Sequence, residues 1–365
     1  MSKIIIQNGN MCELDLPLKF AQKLYNEFAI RHPNAFYLRT RQRGMQNWDG
    51  KIHYITKTGQ FKIGLLPKVY DMCIEMGIKP KVVDMRQPLP KVSKVVTNIG
   101  KYKLRPEQEK AVKAVINNKI GNTPFHIGVL DYTVNAGKTL IMSSLYLSYK
   151  KQLKTLLITN DSDWLNQARE EFKQYLPGED ITFVQGKVLN WSNFTIGMVQ
   201  SISRNMRFYQ KELSQIDMVL IDEADQGGSK QYQNVITRLF NTRIRIGLSG
   251  TIYMSKLAKD RVKNMNLECF FGKVLAEFKL KDSIKKGYST KTVVKMVPGK
   301  PWYGNWESDC ISYKEIYDDS ITNCYTAWLM AYNRLLWNLN QGRYPALVVC
   351  KHIAHCENLY KFFKK

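Results

Sequence analysis

A chain of 365 residues with 44% hydrophobic and 24% charged residues is long for one core and too apolar to be disordered or fibrous. No stretch approaches the roughly 18 apolar residues a membrane span requires, and the opening "MSKIIIQNGNMCELDL" is too polar for a secretory signal. The formal charge of +24 calls for a polyanionic partner, and nucleic acid is the commonest one in a cytosol.

The first 95 or so residues read as a small α+β unit. "KIIIQ" and "CELDL" are strand-like, and "PLKFAQKLYNEFAIRHP" has Pro17 at a helix start with Pro33 beyond its end. "AFYLRTRQR" alternates as a strand does, which would set Tyr37, Arg39, Arg41 and Arg43 on one face. "KIHYITKTGQFKIGLL" predicts a hairpin turning at Thr58-Gly59, and Pro67 opens a helix with Val69, Met72, Cys73 and Met76 on one side. Residues 1–100 carry 16 Lys/Arg against 7 Asp/Glu. A basic stripe beside aromatics suits phosphate contacts without base reading. Arg39, Arg41, Arg43, Trp48 and Lys51 are the candidate DNA contacts, although packing is the simpler account of Trp48, since large aromatics mostly serve cores. "QPLPKVSKVVTNIGKYK" is the expected linker.

From about residue 96 to 282 the pattern becomes helices alternating with near-continuous apolar strands: "TLLIT", "FTIGMV", "MVLID" and "IRIGLSG". That pattern predicts an α/β fold with a parallel sheet covered on both faces. Residues 283–365 hold the amphipathic helix "NCYTAWLMAYNRLLWNLNQG", the strand "ALVVC" and the helix "AHCENLYKFFKK". One strand with its helix is expected to be the incomplete start of a further α/β unit. Seven cysteines, odd in number and scattered, predict reduced thiols in a cytoplasmic protein.

Two motifs carry chemistry. "DYTVNAGKTL" has the G-K-[ST] end of a phosphate-binding loop but places Tyr132 where the first glycine belongs. Such a loop converges backbone N–H groups on phosphates, with the following helix adding its positive end. Asn135 suits the left-handed turn this needs. Alone, the shortened pattern is equally compatible with a chance loop. "MVLIDEAD" sets Asp222 and Glu223 directly after an apolar strand, one carboxylate for Mg²⁺ and one to orient or deprotonate water. A solvated acidic turn would not require the preceding buried-type strand.

"GKT", "DEAD" and "GLSGT", in that order, resemble motifs I, II and III of superfamily 2 helicases and translocases. "LRPEQEKAV" resembles the adenine-recognition segment, through Gln108. "LLITNDSDWLNQ" and "GMVQSI" resemble the DNA-contacting motifs, the latter through Gln200 and Ser201, while Asn160 departs from the usual proline. "ALVVCKHIAHCENL" resembles the first strand of a second RecA-like lobe. "GMQNWDGKIHYITKTGQFKIGLLPKVYDMCIEMG" narrows the resemblance to the UvsW-type branch-migrating helicases of tailed bacteriophages.

The resemblance implies a RecA-like motor lobe (96–282) behind a DNA-binding α+β domain (1–95), with 283–365 as linker and incomplete second lobe. It implies ATP and Mg²⁺ on Thr133, Val134, Asn135, Ala136, Gly137, Lys138, Thr139 and Leu140. Lys138 would hold phosphates, Thr139 and Asp222 the metal, Glu223 the water and Gln108 the adenine. Ser249 and Thr251 would couple hydrolysis to movement. The implied partner is branched or forked DNA, the expected state is a monomer, and no membrane is expected. With no motif VI in the sequence, hydrolysis by this chain is expected to be weak. Asp225 completes the spelling of a DEAD box, but motif III reads S-G-T, so its place there is taken as coincidence. An RNA-remodelling helicase and a non-catalytic DNA-binding fragment remain as alternative readings.

Overall fold

The computed structural model describes residues 2–42, 44–149, 152–186, 188–252, 260–291, 312–342 and 347–364. They form two compact units, Met1–Lys291 and Thr292–Lys365.

The first unit opens with a four-stranded sheet. Its strands are β1 (Lys3–Ile6), β2 (Met11–Asp15), β3 (Gln60–Lys62) and β4 (Lys81–Asp84), in the order β3-β2-β1-β4. Alternation in β1 and β2 buries Ile4, Ile6, Cys12 and Leu14, the period-two pattern of a half-covered sheet. Helices α1 (Leu18–Glu27), α2 (Ala35–Arg41) and α3 (Leu66–Glu75) accompany it. In α3 Pro67 occupies the first turn, where its missing N–H costs nothing, and Val69 and Cys73 are buried.

Two sequence expectations change here. Arg39 and Arg41 lie on α2, not on a strand; Arg43 falls outside the described residues. Only apolar spacing commits a segment to a period. Ala35 is buried and Leu38 half-buried three residues on, which suits a helix, while the alternating arginines remain exposed and specify nothing. Residues two apart on a helix point about 200° apart, so Arg39 and Arg41 do not share a face. The turn at Thr58-Gly59 forms, with Gly59 at φ 82° and Ile55 bridging Phe61. Its arms, however, join different sheets: β3 pairs with β2, and Lys51–His53 pairs with Ala29–Arg31.

The larger sheet has eight strands: β5 (His126–Tyr132), β6 (Thr155–Thr159), β7 (Ile181–Gln185), β8 (Phe194–Met198), β9 (Met218–Asp222), β10 (Ile244–Ser249), β11 (Val274–Phe278) and the short Val188–Leu189. The order runs from Val188–Leu189 through β7-β8-β6-β9-β10-β5-β11, and every pairing except that of the short strand is parallel. Central β5, β6, β9 and β10 are buried at every position. Buried on both faces, they read as continuous apolar runs. Helices α4 (Pro106–Ile116), α5 (Lys138–Ser148), α6 (Ser162–Tyr175), α7 (Val199–Arg204), α8 (Gln210–Ser214), α9 (Lys230–Ile236), α10 (Arg261–Phe271) and α11 (Leu280–Lys285) connect the strands. This is the α/β, RecA-like sheet expected. The linker stretch is stapled to α5: Val96 N donates to Ser148 Oγ at 3.0 Å and Ser144 Oγ donates to Val96 O at 2.6 Å.

The small sheet is welded to the large one, and one hydrophobic core runs through both. Arg245 of β10 is fully buried and donates to Gly9 O (2.6 Å), Asn10 Oδ1 (2.8 Å) and Phe270 O (3.1 Å). Gly64, in the "GLL" of the N-terminal signature, lies so close to α10 that a Cβ there would stand 2.1 Å from Glu268 O.

In the second unit, helices α12 (Tyr313–Tyr317), α13 (Tyr325–Asn340) and α14 (Ile353–Phe363) pack through aromatics, with Phe362 5.4 Å from Tyr325 and 5.9 Å from Trp328 and Tyr332. The strand expected at "ALVVC" is absent among the described residues: 347–350 are irregular. The unit's described residues include no sheet against which such a strand could pair.

Candidate nucleotide and nucleic-acid sites

Parallel register brings the C-terminal ends of the central strands to one edge. Asp131 of β5 pairs with Ser249 of β10, and Asp222 of β9 pairs with Leu248. The loops that follow therefore meet, as ligand-binding loops do in open parallel sheets.

The loop after β5 shows why Tyr132 can stand in for glycine. It is still the last strand residue, fully buried, and its hydroxyl donates to Glu107 O at 2.7 Å. The left-handed turn comes later, at Asn135 (φ 61°) and Gly137 (φ 73°). Asparagine is among the few residues that tolerate that region. At Gly137 a Cβ would sit 2.2 Å from Gln108 Nε2. Val134 is exposed at the loop's tip and Ala136 is buried beneath it. Thr133 N bonds Phe278 O at 3.0 Å, and Leu140 N bonds Gly137 O at 3.1 Å in the first turn of α5.

Lys138 and Thr139 open α5, with Thr139 buried. Lys138 Nζ lies 3.3 Å from Asp222 Oδ1, whose side chain is only 5% exposed. A lysine facing a buried carboxylate at the end of a loop that opens a helix is the charge pattern that fits a polyphosphate with its divalent cation. Glu223 is next to it, held in the left-handed region at φ 52° and ψ 51°. That is a costly position for glutamate, of the kind concentrated at functional sites. Burial, then the charges of Asp222 and Asp225, push its carboxyl above the usual range, against the opposing pull of Lys138.

Gln108 is placed differently from a free base-reading amide. It is fully buried; its Oε1 accepts from Arg105 N (2.8 Å) and its Nε2 donates to Ala136 O (2.8 Å). It ties the start of α4 to the phosphate loop.

Asp225 is a residue the sequence reading undervalued. Ser249 Oγ donates to Asp225 Oδ1 at 3.0 Å and accepts from Thr251 N at 3.1 Å. The serine of "GLSGT" is thus tied to the last residue of "DEAD". Only the strand register could reveal this.

Gln200 starts α7 and its Nε2 reaches Asn160 O at 3.4 Å; Ser201 Oγ accepts from Gly186 N at 2.9 Å. Asp161, which looked intrusive, caps α6 by accepting from Asp163 N and Trp164 N.

On the N-terminal unit, Arg31, Phe36 and Arg39 line a cleft of about 410 Å³. Arg31 stands directly across the strand pair from Lys51. Like charges in that relation are unfavourable unless an anion joins them. Arg31 was not singled out from sequence, because its partner is twenty residues away along the chain. Arg41 stacks on Tyr37 at 5.0 Å. Trp48 is half-buried, donates to Lys51 O at 2.9 Å and packs edge-on to His32, so it serves the local fold.

Fold, motif order and site geometry are similar to those of superfamily 2 helicases. Residues 101–254 match the family model of the type III restriction enzyme res subunit. The chain is 21% identical over 362 residues to the ATP-dependent DNA helicase uvsW of Enterobacteria phage T4, covering 87% of this chain and 64% of that protein. A crystal structure of the bacteriophage T4 UvsW helicase superposes with a TM-score of 0.59 at 19% identity, over 75% of this chain and 99% of the other. A second, of T4 UvsW, gives 0.58 at 19%, over 100% and 72%. These likenesses show the fold that the chain shares with the two UvsW structures, and a sequence similarity to the phage T4 UvsW helicase that runs along most of its length. It spans 64% of the length of that curated relative. Among the described residues no helix is long and apolar enough to cross a membrane.

Proposed function

We propose that the chain is the ATP-driven motor portion of a DNA helicase that acts on branched or forked duplex, as a monomer in the host-cell cytoplasm. The observation that carries this reading is the convergence of Lys138, Thr139, Asp222 and Glu223 on one sheet edge beside a loop with two left-handed residues. Backbone N–H groups of residues 134, 135 and 137–139 would cradle phosphates, those of Thr133 and Ala136 being bonded to Phe278 O and Thr133 O, and Lys138 would exchange Asp222 for phosphate oxygens. Thr139 and Asp222 would hold Mg²⁺, which supplies charge neutralisation at the phosphates. Glu223 would orient and deprotonate water, helped by a raised proton affinity. Ser249 and Thr251, tied to Asp225, would pass changes at motif II to the rest of the motor.

Residues 1–95 would supply a DNA-binding domain, 96–282 the motor lobe and 283–365 the linker and start of a second lobe. Phosphate contacts would come from Arg31 and Arg39 around one cleft and from Lys51 across the strand pair from Arg31, with Arg41 on the far side of α2. The test is calorimetry with ATP and Mg²⁺ on Lys138→Ala. We expect lost nucleotide binding with an unchanged circular-dichroism spectrum and retained DNA binding. Unchanged ATP affinity would sink the assignment. Stimulation of hydrolysis by RNA rather than forked DNA would favour an RNA-remodelling enzyme.

A further inference from the structure

A polar chain leads away from Glu223 that neither the phosphate loop nor motif III uses. Gln226 Nε2 donates to Glu223 Oε2 at 3.1 Å. The other end of the same amide, Oε1, accepts from Asn160 Nδ2. Asn160 O in turn accepts from Gln200 Nε2 at 3.4 Å. Three loops, after β6, β8 and β9, are thereby joined in series from the acidic pair to α7. Direction is built in: a carboxylate only accepts, so Gln226 must present its NH₂ to Glu223 and its oxygen to Asn160. Two further acceptors, Asn160 Oδ1 and Gln200 Oε1, are buried without a hydrogen-bond partner. Those two amides are thus tethered at one end and free to re-pair at the other. Asn160 stands where the resembled motif has proline, which could neither donate from a side chain nor take this part.

We propose that Gln226 and Asn160 are positioning residues that hold Glu223 back from water until nucleic acid occupies the strand-end face at Gln200. In the arrangement seen, Gln226 holds Glu223 Oε2 in one hydrogen bond, which fixes the direction in which the carboxylate presents its remaining lone pairs to water. Nucleic acid contacting the Asn160–Gln200 segment draws Asn160 away, Gln226 follows, and the carboxylate is released. The relay is a brake, and DNA is what lifts it. This rests on the proposed ATP-driven function, which it deepens by naming how the partner regulates the site.

The experiment is single-turnover ATP hydrolysis by the full chain, with and without forked DNA, for wild type, Gln226→Ala, Asn160→Leu and their double variant, with Lys138→Ala as the inactive control. Asn160→Leu nearly preserves shape, removes the donor and adds no charge, so it reports even where Gln226→Ala folds poorly. In both variants the DNA-free rate should rise about ten-fold, the scale of one hydrogen bond to a charged group. The DNA-bound rate and ATP affinity should stay put, and the double variant should add nothing further, since both changes cut one path. A merely structural role would lower both rates together. An unchanged ratio of DNA-bound to DNA-free rates, against a stimulated wild type, overturns the relay alone. Wild-type hydrolysis no faster than Lys138→Ala overturns the functional reading beneath it.

Discussion

Replacing Arg245 by Met tests how the N-terminal sheet is held to the motor. Methionine matches the volume but removes three hydrogen bonds, at 2.6, 2.8 and 3.1 Å, to Gly9 O, Asn10 Oδ1 and Phe270 O. Each buried acceptor left unpaired costs roughly 1–3 kcal/mol. Against this, the wild type buries a guanidinium with no carboxylate beside it, and its Nε is left without a partner. Burial pulls its pKa well below the usual arginine value, and relieving that burial returns several kcal/mol. The net loss should be about 3 kcal/mol. At roughly 2–4 °C per kcal/mol for a unit of this size, melting should fall by about 6–12 °C. Amide exchange should rise at Gly9, whose N bonds Phe240 O at 2.6 Å. ATP affinity should be little changed, because the site lies at the far end of β10. A variant as stable as the wild type, with Gly9 still protected, would show that apolar packing alone docks the two sheets.

Glu223→Gln should keep nucleotide binding and slow single-turnover hydrolysis by at least about 10²-fold, since shape is kept and the base removed; residual hydrolysis near wild type would move the base elsewhere. Replacing Arg31, Arg39 and Lys51 together by Ala should lower the slope of log K against log salt by about two to three units, at roughly 0.9 per lost phosphate contact on duplex DNA. Salt-titrated fluorescence anisotropy on a forked duplex reads this directly, and an unchanged slope would leave the cleft as a solvated face.

Much of this protein could be read from its residues alone. The strand-end Asp222-Glu223 and the G-K-T turn are local, because they depend on a few consecutive residues with fixed chemistry. Asn135 could be assigned its left-handed turn for the same reason. The continuous apolar runs of β6, β8, β9 and β10 announced a parallel sheet, since only strands covered on both faces are so uniformly apolar. β5, which carries the phosphate loop, escaped notice because His126, Gly128 and Asp131 interrupt its apolar run. What only the tertiary structure decided are relations between distant residues. Register sets Ser249 against Asp225, a strand pair sets Arg31 opposite Lys51, and loop convergence joins Glu223 to Asn160. Arg245 is one of the 55 Lys and Arg residues behind the charge of +24, and nothing in its local sequence sets it apart. It is a buried clamp, because the acceptors that hold it come from Gly9, Asn10 and Phe270, and no stretch of sequence contains all four.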